Sequence, residues 1–291
     1  MKKLENYLIK KGYTTKTIKG YLLLFGIFTD WCRAYEINPE TATLEELYDY
    51  QSFNRERGDK PSTMQGKIGI LKHYYRFIKR KNNPALLIQT EKPEKQTVKN
   101  LLDEETLMNI YLDYQPESIV YTRDKVMLGF FIFQGLTRGE IEAMELHHIE
   151  AEKNRIYIAP TAMTNKRYLT LHPIQKRELT AYLHQERNEL INTYYHTSTS
   201  RLFFSTRSKN SLTDVHNQML NRMKKLYPYL ISFKQIRSSR IAIWVSQHGI
   251  RKAQYMSGLK NVTSLIRYRQ ADKEKLKQKL DVVHPMERLN L

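Results

Sequence analysis

The 291-residue chain alternates apolar and polar positions mostly with the period of a helix. In 15–35, "TKTIKGYLLLFGIFTDWCRAY", Ile18, Tyr21, Leu22, Phe25, Phe28 and Cys32 recur at steps of three or four. That spacing predicts an amphipathic helix with Thr15 at its N-cap and Cys32 as a small buried hydrophobe. A helix opening at Thr43, with acidic residues in its first turn, is expected to stop at Gly58. The next has Ser62 as its cap, buries Ile68, Leu71, Tyr75 and Ile78, and closes at Asn82-Asn83-Pro84. With "LENYLIKKGY" in front, this gives four or five short helices over residues 1–88.

Residues 89–100, "QTEKPEKQTVKN", are polar, contain a proline and lack apolar periodicity. They read as a linker. A second domain over 101–291 starts with a helix at Asp103 or Glu104, followed by the apolar run "RDKVMLGFFIFQG". The rhythm then changes. Ile156, Tyr157 and Ile158, a polar turn at Thr164-Asn165, and Tyr168, Thr170 and Leu171 predict a β-hairpin. "RLFFS", 201–205, is expected to be a short exposed segment between helices at "IQKRELTAYLHQERNELI" and "LTDVHNQMLNRMKKLY". The tail is expected to be helical to about Val282, with Leu276, Leu280 and Val283 as its stripe. The fold class is mainly α with a small β-sheet, in two domains.

Charge adds a partner. The net charge is +18, of which residues 1–88 carry +7 and the remainder +11. A body basic throughout fits a protein that surrounds a polyanion and releases counterions at many phosphates. Twenty tyrosines supply faces suited to sugars and bases. One cysteine, Cys32, excludes an internal disulfide framework. The start lacks a signal-peptide core, and no apolar run reaches the roughly 20 residues a membrane span needs. The expected location is cytoplasmic.

Metal-ligand spacing, a glycine-rich phosphate loop and a nucleophile elbow are all missing from the sequence, so neither a metal nor a nucleotide cofactor is expected. What remains is basic residues and a late tyrosine. "SFKQIRSSRIAIW" sets Lys234 and Arg237 on one helix face, and Tyr268 follows between Arg267 and Arg269. Guanidinium and ammonium groups that grip a phosphate, with tyrosine as nucleophile, can cleave a phosphodiester without metal. A solvated or DNA-backbone face explains the Lys234–Arg237 pair equally well.

Taken in order, these segments resemble the tyrosine recombinases, the phage integrases and Xer-like enzymes. The front domain is similar to their helical, SAM-like core-binding domain. "GLTRGEI" corresponds to G-L-R-x-S/G-E-L, the hairpin ending "TNKRYLTL" to the lysine hairpin, and Lys234-Gln235-Ile236-Arg237 to H-x-L-R. Gly258-Leu259 corresponds to G-H, and Tyr268 stands nine residues after Leu259, as the family's tyrosine stands after that histidine.

The resemblance implies an α+β catalytic domain with Arg138, Lys166, Lys234, Arg237 and Tyr268 as catalytic residues. It implies a C-shaped clamp on double-stranded DNA and a 3′-phosphotyrosine intermediate, with no metal or ATP. The assembly expected is a homo-tetramer on DNA, monomeric or dimeric in solution, with the tail packed on its own domain or on a neighbouring subunit. The match begins at the core-binding domain, so a simple Xer-like, inversion or mobile-element recombinase is expected, without the arm-binding domain of larger integrases.

Departures leave two readings open. Ungapped, the first arginine falls on Thr137 with Arg138 one residue late, the hairpin lysine falls on Ala162, and the two histidines become Lys234 and Leu259. Either basic residues replace the usual set in an active enzyme, or the chain is a degenerate homologue that binds DNA as an accessory or regulator.

Overall fold

In a computed structural model, residues 2–91, 98, 100–206 and 211–269 are described. The chain divides into two compact units, Met1–Lys95 and Gln96–Leu291. The expected linker falls largely, and the C-terminal helix wholly, outside the described residues.

The first unit holds α1 (Lys2–Lys10), α2 (Thr15–Ala34), α3 (Leu44–Glu56), α4 (Pro61–Phe77) and a 3₁₀ turn, Pro84–Leu86. Its core takes Ile18, Phe25, Phe28 and Cys32 from α2, Leu47 and Tyr50 from α3, and Ile68, Leu71 and Tyr75 from α4. Two caps differ from the reading above. Thr14, not Thr15, caps α2 by accepting from the Thr17 amide. α4 starts without a side-chain cap: Pro61 opens it after Lys60, because proline needs no amide partner at a first helical position.

The second unit begins with α5 (Glu104–Asp113), capped by Asp103, then α6 (Ile119–Phe133) and the five-residue α7 (Arg138–Glu142). A three-stranded antiparallel sheet follows: β1 (Ile149–Glu150), β2 (Arg155–Ile158) and β3 (Arg167–Thr170). β2 and β3 form the expected hairpin, with Ile156 opposite Leu169; β1 was not legible, being two residues long. α8 (Pro173–Ala181) runs on through a wide π turn into α9 (Arg187–Leu190), and α10 (Thr213–Leu226) and α11 (Phe233–Ser257) complete the frame. Residues 263–269 are again helical.

α6 is buried from Arg123 to Ile132, which makes it the axis around which the other helices pack. "RLFFS" is a correction: Leu202, Phe203 and Phe204 are buried. The segment threads between two arginines, Arg187 donating to the Thr199 and Arg201 carbonyls and Arg123 to that of Phe204. The Leu202 amide donates to the Met144 carbonyl, and the Leu202 carbonyl accepts from the Tyr182 hydroxyl, so these backbone groups are paired outside the segment while three consecutive apolar side chains enter the core. Within α11, Gly249 adopts φ +76°. That break folds the helix's last turns back, so that the Ser257 carbonyl accepts from Arg237.

No described helix is long and apolar enough to cross a membrane.

Candidate functional site

Three segments distant in sequence meet around one carboxylate. α6 ends at Gln134, and Gly135-Leu136 lead into α7, where Thr137 and Glu140 form a capping box. Glu140 Oε2 accepts from the Thr137 amide (2.8 Å) and hydroxyl (3.0 Å), while the Glu140 amide donates to the Thr137 hydroxyl (3.2 Å). The other oxygen, Oε1, accepts from Arg167 Nη1 at 2.7 Å and from the Thr164 hydroxyl at 2.8 Å. Both side chains of the Glu140–Arg167 pair are completely buried. Burial by itself raises the Glu140 carboxyl; the Arg167 hydrogen bond and charge, the Thr137 amide and Arg237 reverse that and hold it below the ordinary range.

Arg167 also donates through Nε to the Met256 carbonyl at 2.9 Å, joining the hairpin to the end of α11. Gly258 completes the join. Its φ is +69°, and a Cβ there would stand 2.9 Å from Arg167 Cζ and 3.1 Å from the Asn165 carbonyl oxygen. The Asn165 amide donates to the Gly258 carbonyl at 2.8 Å, and Thr164 bridges to Leu259.

Arg237, 9% exposed, is held in this frame. Nη1 donates to the Gly135 carbonyl, Nη2 donates to that of Ser257 at 2.8 Å, and Nη1 lies 3.8 Å from Glu140 Oε2. Burial lowers the guanidinium from its ordinary value, opposed first by Glu140, while Arg167 adds to the lowering and the nearby Tyr268 opposes it. Tyr268 is nearly buried, and its hydroxyl donates to Ser238 Oγ at 3.4 Å. Its ring sits in a small cluster with Ile241, Trp244, Val245, Ala253 and Leu265.

The other expected residues are placed differently. Arg138 donates to Asn217 Oδ1 at 3.2 Å and lies over the Phe233 ring, 5.2 Å from its centroid. It is turned toward α10 and the first turn of α11. Lys166, on the hairpin turn, and Lys234, on that first turn, are exposed, and neither has a hydrogen bond or ion pair among the described residues. Lys234 and Arg237 thus share a helix but not an environment. Thr137 has both its amide and its hydroxyl committed to Glu140. Leu259 packs against the cluster around Tyr268.

The structure therefore brings Arg237 and Tyr268 together and leaves Arg138, Lys166 and Lys234 at its margins. Sequence reading missed Glu140, Arg167, Thr164 and Ser238. The Thr137-x-x-Glu140 spacing carried a capping signal; nothing in the sequence marked Arg167 as buried. A cleft of about 340 Å³ lined by residues such as Tyr121, Asp124 and Arg222 includes none of the candidate residues. Among the described residues, no group of three or more His, Cys, Asp or Glu side chains is placed to hold a metal ion.

Residues 100–275 match the model of the phage integrase family. The chain is 22% identical over 195 residues to tyrosine recombinase XerC 2 of Ralstonia nicotianae, covering 63% of this chain and 56% of that one. It is 23% identical over 193 residues to tyrosine recombinase XerC of Bacillus licheniformis, covering 65% and 63%. The matches thus span less than two thirds of these relatives. Among solved structures, XerH recombinase bound to palindromic difH substrate superposes with a TM-score of 0.70 at 16% identity, over 91% of this chain and 79% of that one. A lambda integrase dimer bound to a COC′ core site gives 0.64 at 17% identity, over 91% and 92%. These likenesses fix the fold. The family match, running over more than half of the chain and taking in the Glu140, Arg167, Arg237 and Tyr268 frame, establishes that the chain belongs to the phage integrase family.

Proposed function

We propose that the chain binds duplex DNA and takes part in site-specific recombination, with Tyr268 as nucleophile. The observation that carries this reading is the placement of Tyr268 beside Arg237, on a buried frame that fixes the guanidinium from three sides. Tyr268 Oη loses its proton to solvent and attacks phosphorus; the bond from phosphorus to the 5′ oxygen breaks. A 3′-phosphotyrosine forms, and the 5′ oxygen leaves with a proton from an ammonium group, Lys166 in this reading. A 5′ hydroxyl from a second strand reverses the step. Arg237 stabilises the charge that grows on the non-bridging oxygens, and Arg138 and Lys234 face the flanking backbone. For this, the Tyr268 hydroxyl must turn away from Ser238. The DNA partner is supported by the net charge of +18 and by the DNA-bound neighbours; a homo-tetramer on DNA belongs to the same reading.

A second reading, DNA binding without cleavage, is favoured by one observation. Thr137, which the ungapped reading puts at the family's first arginine, has both polar groups committed to Glu140; Leu259, at the position read as the family's later histidine, is a second missing donor. Each missing donor costs about 3–4 kcal/mol of transition-state stabilisation. Duplexes selected for binding from a randomised pool, then nicked to trap the covalent step, separate the two. A denaturant-stable adduct that is lost in Tyr268→Phe supports cleavage; tight binding with no adduct on any selected site overturns it in favour of the second reading.

A further inference from the structure

The segment just after the division between the two units does more than connect them. Val98 packs against the cluster of Ile241, Trp244, Val245, Ala253, Leu265 and Tyr268. Residues 100–104 then run along α11. The Asn100 carbonyl accepts from Gln235 Nε2 at 2.9 Å, and the Leu102 amide donates to Ser239 Oγ at 2.9 Å. Glu104 takes Arg240 Nη1 on Oε1 at 3.0 Å and Gln247 Nε2 on Oε2 at 2.8 Å. These partners, 235, 239, 240 and 247, lie along α11 beside the residues that face the site, 237, 238, 241, 244 and 245.

Arg240 carries the contact onward. Its Nε donates to the Ile132 carbonyl at 2.7 Å, and its Cγ lies 3.3 Å from where a Cβ on Gly135 would stand. Gly135 is the residue whose carbonyl accepts from Arg237 Nη1. One strap therefore touches both reactive groups at second hand: Tyr268 through the cluster that seats its ring, Arg237 through Glu104, Arg240 and Gly135.

We infer that Val98 and Glu104 are positioning residues of the reactive site, Val98 setting the seat of Tyr268 and Glu104 setting the carbonyl on which Arg237 is held. This rests on the reading of Tyr268 as the nucleophile, and the test separates the two. Hydrogen–deuterium exchange on the full chain without DNA needs no activity. Val98→Ala is expected to speed exchange in 263–269 by about threefold or more while α6 stays at the wild-type rate, since a local opening is being eased. Val126→Ala, an equal cut in the main core, is expected to raise α6 instead. Wild-type exchange in 263–269 after Val98→Ala, or a uniform rise across the second unit, overturns the inference.

A kinetic measurement adds the reactive step. On nicked DNA at saturation, Val98→Ala and Glu104→Gln are each expected to slow adduct formation by about tenfold with half-saturation unchanged, and Val98→Ile is expected to keep the wild-type rate. A shift confined to DNA affinity overturns the inference. Absence of adduct from the wild type counts against the nucleophile reading alone, and exchange still decides this one: Glu104→Gln is expected to speed exchange at 135–137 by about threefold or more, and wild-type exchange there overturns its part.

Discussion

Replacing Glu140 by glutamine removes the one carboxylate around which Arg167 and Arg237 are arranged. Arg167 is completely buried and cannot withdraw to solvent, so its charge is left with two carbonyls, those of Met256 and Asn165. Breaking a buried pair by removing one partner costs about 3–5 kcal/mol, because the surviving charge stays desolvated. Glutamine keeps one acceptor but also presents an NH₂ group, which meets either the Thr137 amide or the Arg167 guanidinium, so little of that cost is recovered.

The chain has two tryptophans, Trp31 in the first unit and Trp244 in the second. In a Trp31→Phe background, fluorescence during urea unfolding therefore reports the second unit alone. With a urea slope of about 2 kcal/mol per molar, Glu140→Gln should lower that midpoint by roughly 1.5–2.5 M. Adding Arg167→Met removes the stranded charge and should recover part of the loss, since buried ion pairs exchanged for apolar groups are often nearly neutral. A midpoint shift below about 0.5 M, or a double variant that loses the sum of the two single losses, would refute the account of the frame as a charge-balanced core. The sign with pH follows from the lowered carboxyl. The pair's contribution is complete above the ordinary glutamate range and is lost as pH falls through the folded value.

Three further outcomes are expected. His216 is buried against Phe131 and Phe233, and burial, with Arg138 and Arg123 nearby, pushes its pKa down to about 4. Stability of the second unit should fall by about 3 kcal/mol between neutral pH and pH 4 on its account, and urea midpoints of His216→Leu should show a flatter profile. Gly258→Ala should lower the melting temperature by at least about 5 °C, from left-handed strain plus overpacking on Arg167. Gly139→Ala, where a Cβ meets nothing within 4 Å, should leave it unchanged or raise it. DNA affinity should drop about a thousandfold or more between 50 and 200 mM salt if six or more phosphates are engaged; a salt-insensitive affinity measured by fluorescence anisotropy would point away from a backbone-tracking surface.

How far the sequence reached depends on the range over which each feature is determined. The α2 stripe and the β2–β3 hairpin are local patterns, and Ile18, Phe25, Phe28, Cys32, Ile156 and Ile158 are buried as their periodicity predicts. "RLFFS" misled because its burial rests on partners outside the segment, Arg123 on α6 and Arg187 on α9. The site divides in the same way. Arg237 and Tyr268 were legible as a spacing between motifs. Lys166 stood out as the hairpin's lysine, yet its neighbour Arg167 is the residue turned inward to Glu140. Alternation along a strand permits either choice; the carboxylate on α7 decides it, and that is a tertiary fact.

The frame also bears on the residue that the sequence left unsettled. Glu140 is shared by the two buried guanidiniums, so the Arg167–Glu140–Arg237 group carries one net positive charge, centred on Arg237, where two carbonyls accept from it and Glu140 Oε2 lies 3.8 Å away. A desolvated cation of this kind gains more from an incoming phosphate than a solvated one does, because it has no water shell to exchange. Arg138, half-exposed on Asn217 and Phe233, cannot supply that field from where it lies. Thr137 cannot supply it at all. Under the proposed function, anion stabilisation next to Tyr268 rests on Arg237 together with whichever exposed lysine, 166 or 234, swings in with DNA. On the ungapped reading, which puts Thr137 at the family's first arginine, the proposed site has one fixed charge and mobile ones in place of a fixed two-arginine grip, which trades preorganisation, and therefore rate, for dependence on the bound DNA.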